Sequence, residues 1–391
     1  MSVNFELFWL LLLPLLFTLG WFAARIDMRH VVKDAKQLPQ EYYKAVEALL
    51  NENSEEAVQN FLDILRVNPE TIEVYFTLGR VLRKRGDVER AIRVHQNLLT
   101  REDLGKEVQE KAKFELAQDF LEAGIFDRAE TLFEDLLQTK YAVEARKFLL
   151  RLYPSVQEWD KAFEVAKAVE HETGQSLLSS KVHFLCQSAQ FNMKEGSIEL
   201  AIEKIQQAQR LSPQAIRPVL LQAELEAGQG LWQTAVSTLN RLYQENESAV
   251  RLIAPLMLKI TQTAEQSQVG IEWAEKISID SIGIEGLEAL VGVYMSLGQQ
   301  GKALESARSH WQKYPDLARF NLWVRTASEV GQNSEKDLAQ TLLSSVGGIL
   351  RREARYQCHL CDFHLRRHAW QCPGCLSWDS FSLYRQDERQ V

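Results

Sequence analysis

Four of the chain's five cysteines fall within "YQCHLCDFHLRRHAWQCPGC", residues 356–375: Cys358 and Cys361, then Cys372 and Cys375. Each pair is a CxxC, and ten residues separate the pairs. A CxxC sets two sulfurs on one tight turn. Two such turns facing each other make a tetrahedral four-sulfur cage that suits zinc or iron. A thioredoxin-like redox couple is disfavoured, because no βαβ pattern surrounds either pair. On the cytoplasmic side of a membrane, where the charge pattern described below places this segment, the spacing reads as metal binding rather than as two disulfides. The four cysteines are therefore the candidate ligands of one structural metal ion, iron or zinc. Four thiolates leave no open position for hydrolytic catalysis. His359, His364 and His368 lie close by, but four sulfurs already complete the cage, so they read as exposed loop histidines. Cys186 stands alone among apolar neighbours and reads as a core residue.

A tail of some forty residues, 351–391, cannot bury enough apolar surface to fold unaided. A metal supplies the missing constraint, with folding and ligation coupled. Tyr356, Phe363, Trp370, Trp378, Phe381 and Tyr384 surround the cage and predict a small two- or three-stranded unit packed on the last helices of the body. Arg351, Arg352, Arg355, Arg366 and Arg367 form a basic patch beside these aromatics. A contact to the body or to an acidic partner is the better use for it. A formal net charge of −8 does not suit a chain that coats nucleic acid.

The body that must position this tail is helical and repetitive. Ala57, Ala91, Ala129, Ala162, Ala201, Ala235, Gly270 and Ala303 recur at intervals of 33 to 39 residues. Twelve residues before them lies a second column: Ala45, Gly79, Ala117, Leu150, Ala189, Ala223, Leu258 and Val291. Five residues before the first column stands glycine in five units, at Gly86, Gly124, Gly196, Gly230 and Gly298. Twelve residues after it stands proline in three, at Pro69, Pro213 and Pro315. Phe61, Phe133, Ile205 and Leu239, four after the reference position, supply a large apolar partner.

These columns share a cause. Paired helices need small side chains where their backbones approach, the turn between them needs a left-handed residue, and proline stops the second helix. A period near 34 with this pattern is the tetratricopeptide signature, and "TLGRVLRKRGDVERAIRVHQNLL" (77–99) is the cleanest copy. The array predicted is 40–350, closed by "LARFNLWVRTASEVGQNSEKDLAQTLLSSV" as a terminal helix pair. Stacked units form a superhelix whose concave face binds peptides or protein surfaces.

Ahead of the array, "LFWLLLLPLLFTLGWFAA" (Leu7–Ala24) holds eighteen residues without a charge. As a helix it spans about 27 Å, close to the hydrocarbon thickness of a bilayer. Trp9 and Trp21 stand near its ends, where indoles favour the headgroup boundary. A cleaved signal peptide would carry its basic residues before the apolar run. Here Glu6 precedes it, and Arg25, Arg29, Lys33 and Lys36 follow it. The expectation is an uncleaved single-pass anchor, 1–24, with a periplasmic N-terminus, a juxtamembrane linker at 25–39 and the rest of the chain in the cytoplasm.

No phosphate loop, GxSxG or HExxH occurs, and His95, His171, His183 and His310 are dispersed on helical segments as packing or surface residues. The chain is expected not to be an enzyme. The fold class expected is all-α: a tetratricopeptide-repeat superhelix with a transmembrane helix before it and a small metal knuckle domain after it.

The order of anchor, basic flank, repeats such as "RGDVERAIRVHQ" and "AGIFDRAETLF", and terminal "RYQCHLCDF…AWQCPGCLSW" resembles the lipopolysaccharide assembly protein B family over essentially the full length. The terminal knuckles are similar to rubredoxin, which gives Cys358, Cys361, Cys372 and Cys375 that family's metal-ligand role. Asp362 and Leu376 depart from the pattern, standing where rubredoxin-type knuckles carry glycine. The resemblance implies an inner-membrane adaptor of a Gram-negative bacterium that restrains lipopolysaccharide synthesis. It would do so by promoting degradation of the lipid A pathway deacetylase LpxC through the membrane-bound AAA+ protease FtsH. Other lipopolysaccharide assembly or regulatory membrane proteins are further expected partners, nucleic acid is not, and self-association stays open. Two alternatives accompany this reading: an iron-containing electron-transfer protein, and a nucleic-acid-binding zinc ribbon on a repeat scaffold.

Overall fold

The computed structural model describes residues 72–383, apart from 102, 263–265, 278–280, 332 and 351–353. The apolar run, the juxtamembrane linker, the first repeat with its Pro69, and Arg351, Arg352 and Tyr384 lie outside the described residues. Among the described residues no helix is long and apolar enough to cross a membrane.

Sixteen α-helices follow one another among the described residues. They group into two compact units, divided between Leu152 and Tyr153. The first contains α1 (Ile72–Lys84), α2 (Val88–Leu99), α3 (Lys106–Glu122), α4 (Phe126–Asp135) and most of α5 (Ala142–Ser155). The second holds α6 (Trp159–Thr173), α7 (Leu178–Lys194), α8 (Ile198–Leu211), α9 (Ile216–Gly228), α10 (Trp232–Glu245) and α11 (Val250–Ile260). It continues through α12 (Ser267–Ile277), α13 (Gly283–Ser296), α14 (Gln300–Lys313), α15 (Leu317–Val330) and α16 (Asn333–Leu350). It ends in β1 (Tyr356–Cys358), β2 (His364–Leu365) and β3 (Phe381–Leu383).

The helices form because their apolar residues fall on one stripe. In α2 the buried positions are Ala91, Val94, His95 and Leu98, and in α10 they are Ala235, Thr238, Leu239 and Leu242, both spaced i, i+3, i+4, i+7. The alanines of the first column from Ala91 to Ala303 have no exposed surface, so each marks a closest approach of backbones. At Gly79 a β-carbon would stand 2.3 Å from the His95 ring, and at Gly270 one would stand 2.0 Å from Thr261 Oγ1. Glycine is therefore required at both crossings.

The turns follow one hydrogen-bonded design. Gly86 has φ +83°; its N–H donates to the Arg83 carbonyl, and that of Asp87 donates to the Leu82 carbonyl. This is a Schellman cap. The same bond pair closes the turns at Gly124, Gly196, Gly230 and Gly298. It also closes the turn at Gln157, which sits in the glycine register and takes φ +63° with a side chain present. Pro213 and Pro315 each stand two residues beyond a helix end, after α8 and α14, as the column predicts. Asp316 then caps α15, its carboxylate accepting from the Arg319 N–H at 2.7 Å.

The tail is a three-stranded antiparallel sheet in the order β2–β1–β3, with Tyr356 opposite both Leu365 and Leu383. Its ion pairs and ring contacts include ones to α7, α9 and α13. The expected packing on the last helices involves side chains 345–350, which lie outside the described residues.

Candidate metal centre

Each CxxC is shaped by its own backbone. The Cys358 N–H donates to the Phe363 carbonyl and the Asp362 N–H to the Cys358 carbonyl; Cys372 with Ser377 and Leu376 with Cys372 repeat the pattern. The two closing residues, Asp362 and Leu376, take φ +58° and +60°. The knuckles thus keep the left-handed turn without glycine, at a cost of roughly 1–2 kcal/mol each. Gly374 is needed for space instead, since a β-carbon there would meet the Phe363 ring at 3.0 Å and Cys361 Sγ at 3.4 Å.

The two turns bring all four predicted ligands together. Their sulfurs lie within 4.8 Å of one another. Cys358 Sγ is 3.7 Å from Cys375 Sγ, and Cys361 Sγ is 3.6 Å from Cys372 Sγ. Disulfide sulfurs stand about 2.05 Å apart. A tetrahedral cation with metal–sulfur bonds of about 2.3 Å needs sulfurs about 3.8 Å apart. The donor set and spacing therefore fit a four-thiolate metal site, and both zinc and iron match it. When bound, the cation would supply a four-way cross-link between the knuckles.

Electrostatics point the same way. Burial opposes ionisation of Cys358, but the Ser380 hydroxyl, the Leu360 and Cys361 amides and the Cys361 side chain outweigh it, holding its pKa at about 6. Ser377, through its hydroxyl and its amide, lowers that of Cys375. Cys361 is pushed the other way, to about 12; the Phe363 amide alone would lower it, but burial and the neighbouring sulfurs prevail. Sulfurs this close share protons, and a divalent cation removes that conflict. Cys358 and Cys372 are buried, Cys375 is half-buried and Cys361 is exposed.

The ribbon carrying the cage is fastened to the repeats by polar and aromatic contacts together. The Trp378 ring stacks on His183 at 4.6 Å and meets Phe184 edge-on. The Arg217 guanidinium lies 5.7 Å from Trp370 and 5.8 Å from Trp378. Asp379 accepts from Ser179 Oγ at 2.6 Å and pairs with His183 Nε2 at 2.8 Å. Arg217 donates to His183 Nδ1 at 2.9 Å, which fixes the tautomer: Nδ1 accepts, so Nε2 carries the hydrogen given to Asp379. Burial lowers the His183 pKa, although Asp379 works against it. Burial alone would raise the Asp379 pKa, yet the His183 and Ser179 bonds hold it below the ordinary carboxylate value. On the other side Arg355 reaches Glu288 at 3.0 Å and Glu285 at 3.6 Å.

Several sequence expectations change here. His183, read as an ordinary packing or surface residue, is buried at the ribbon's docking point. His368 is not an exposed loop histidine: it sits half-buried, edge-on to Trp370 at 4.7 Å and to Tyr356 at 5.6 Å. His359 and His364 are exposed as expected. Arg355 makes the contact to the repeats that was foreseen for the basic patch. Sequence reasoning missed Asp379, Ser179 and Arg217, none of which stands in a motif. Cys186 is a buried core thiol, as expected.

A tetratricopeptide repeat family profile matches residues 43–101. "Lipopolysaccharide assembly protein B" of Escherichia coli strain K12 is 28% identical over 96% of this chain and 97% of its own length. The protein of the same name from Haemophilus influenzae is 27% identical over 97% of this chain and 98% of its own. Among solved structures, a tetratricopeptide repeat protein from Parabacteroides merdae is 12% identical over 72% of this chain and 96% of that one, at a TM-score of 0.32 too low to carry an argument. Repeats, ribbon and alignment along nearly the whole length together make this chain a homologue of the proteins named lipopolysaccharide assembly protein B.

Proposed function

We propose that the chain is a non-enzymatic adaptor in lipopolysaccharide assembly. It is tethered to the inner membrane by residues 1–24, with repeats and ribbon in the cytoplasm. The repeats bring the deacetylase LpxC to the membrane-bound protease FtsH and promote its degradation, and the metal in the Cys358, Cys361, Cys372 and Cys375 cage serves shape. The link to lipopolysaccharide assembly rests on the name of the relatives, the LpxC and FtsH step on the family resemblance, and the scaffold role on one structural observation. That observation is the fastening of the ribbon to α7, α9 and α13 through Asp379, Trp378 and Arg355. A carrier of electrons works by meeting partners in turn, whereas a clamped ribbon finishes a rigid surface.

The test removes residues 1–24. We expect a folded, soluble chain that no longer drives LpxC turnover in cells; normal turnover with the truncated chain sinks the tether. A second reading, iron-based electron transfer, draws on the exposure of Cys361 and of the knuckle residues Leu360 and Leu376. It requires a reversible one-electron couple on which function depends. Replacing iron by zinc without loss of function removes it.

A further inference from the structure

Between the ribbon and helices α9, α11 and α13 runs an open cleft of about 560 Å³. That lies within the roughly 300–1,000 Å³ typical of ligand sites. It exists only with the ribbon docked, because one wall is Trp370, His368 and Arg367 and the other is helical. The cleft also holds charges that do not cancel. Its three glutamates are engaged: Glu285 and Glu288 face Arg355, and Glu224 faces Lys259 at 3.5 Å. Arg251 and Arg367 line it with no ion pair among the described residues. Arg217, 4% exposed, gives its two terminal nitrogens to neutral acceptors, His183 and Gln190, and its buried Nε has no partner. The ion pairs of the three glutamates thus go to Arg355 and Lys259 and leave Arg251 and Arg367 without a carboxylate partner among the described residues. Leu220, Leu252, Pro255 and Leu256 make the floor apolar.

We infer that this cleft binds an acidic, leucine-containing peptide segment of a partner protein, with its carboxylates held by Arg251 and Arg367. Guanidinium forks match single carboxylates well. Three glutamates in the wall repel a multiply charged phosphate but tolerate carboxylates spaced along a chain. Which protein supplies the segment rests on the adaptor reading; the binding itself does not. Because the ribbon forms one wall, metal loading controls whether the site exists.

The test titrates the full-length, metal-loaded chain in detergent into a fluorescein-labelled peptide of about twelve residues alternating leucine with glutamate. The readout is anisotropy, and the controls are the same peptide with glutamine for glutamate and water-soluble dihexanoyl-phosphatidylglycerol as a competitor. We expect the glutamate peptide to bind at least about tenfold tighter than its glutamine counterpart, with affinity falling as salt rises. Arg251→Gln with Arg367→Gln should weaken binding about tenfold while metal content and helicity stay unchanged, since neither residue carries a structural ion pair. Equal binding of the two peptides, or an unchanged double variant, overturns the inference. So does displacement of the peptide by dihexanoyl-phosphatidylglycerol, which assigns the cleft to lipid. If peptide binding fails while LpxC turnover still requires the chain, only this inference falls. If binding holds while turnover is independent of the chain, only the adaptor reading does.

Discussion

Two buried clusters of histidine, aspartate and arginine play different parts in this molecule. In the first unit His95 Nδ1 pairs with Asp119, and Arg83 reaches Asp119 at 2.6 Å and Glu115 at 2.7 Å. All four residues come from α1, α2 and α3, within 36 positions of one another. In the second unit the same residue types meet as His183, Asp379 and Arg217, but Asp379 arrives from the ribbon, 200 positions beyond Ser179. The first cluster fastens repeat to repeat. The second fastens the cysteine-bearing tail to the repeats. Asp119 has no exposed side-chain surface, whereas half that of Asp379 is open to solvent. The near cluster is sealed among the helices, and the distant one keeps a water-facing edge where the ribbon meets them.

The largest break in this comparison is loss of the cage. Cys358→Ser or Cys372→Ser should abolish stoichiometric metal binding and open residues 354–383 to protease, while leaving the 72–152 unit intact. Metal analysis beside limited proteolysis checks this, and retained metal with a protected tail contradicts it. Next comes Asp119→Ala. It leaves His95 without its carboxylate and Arg83 with Glu115 as its remaining one, at a cost of about 2–3 kcal/mol. Denaturant unfolding should show that loss in the first unit. Asp379→Ala removes a half-exposed partner and should cost only about 1–2 kcal/mol. It frees the ribbon without unfolding it, so Trp370 and Trp378 fluorescence shifts red at constant helicity.

Acid should separate the clusters next. The His183 pKa is depressed in the docked state, as is that of His368, in both cases first by burial. The undocked ribbon therefore binds more protons just below the ordinary histidine value of about 6.5. Docking is fully stable above that pH and weakens as pH falls below it. The protection of α7 amides, taken as exchange relative to the intrinsic rate at each pH, should fall between about pH 7 and 5.5 with metal content constant; unaltered protection removes the role given to His183. The smallest effect is local. Gln157→Gly relieves the one side-chain-bearing residue in the six Schellman turns and should stabilise its unit by up to about 1 kcal/mol, read as a small rise in midpoint denaturant.

What the sequence made legible was whatever repeats or clusters. The alanine, glycine and proline columns declared the helix pairs, because each repeat meets the same steric demand at the same place. The turns at Gly86, Gly124, Gly196, Gly230 and Gly298 follow from that alone. Four cysteines declared the knuckles, because a four-thiolate site would demand that spacing. The docking of the ribbon was not legible. Asp379, Ser179, His183 and Arg217 meet only through the path of the whole second unit, and such a contact leaves no period behind. His368 was misjudged for the same reason: its neighbours Tyr356 and Trp370 hold it in a half-buried layer that spacing to the cysteines does not reveal. Gln157 shows the converse, since the turn persists where its usual residue is missing.

Cys186 is wholly shut away in α7, and burial drives its thiol up to about 12. At neutral pH it stays protonated and out of reach of alkylating reagents. The intact protein therefore carries its own counter of tail integrity. Maleimide consumption reports the four ribbon sulfurs and nothing else, and a fifth equivalent appears only when the helix around Cys186 has itself come apart.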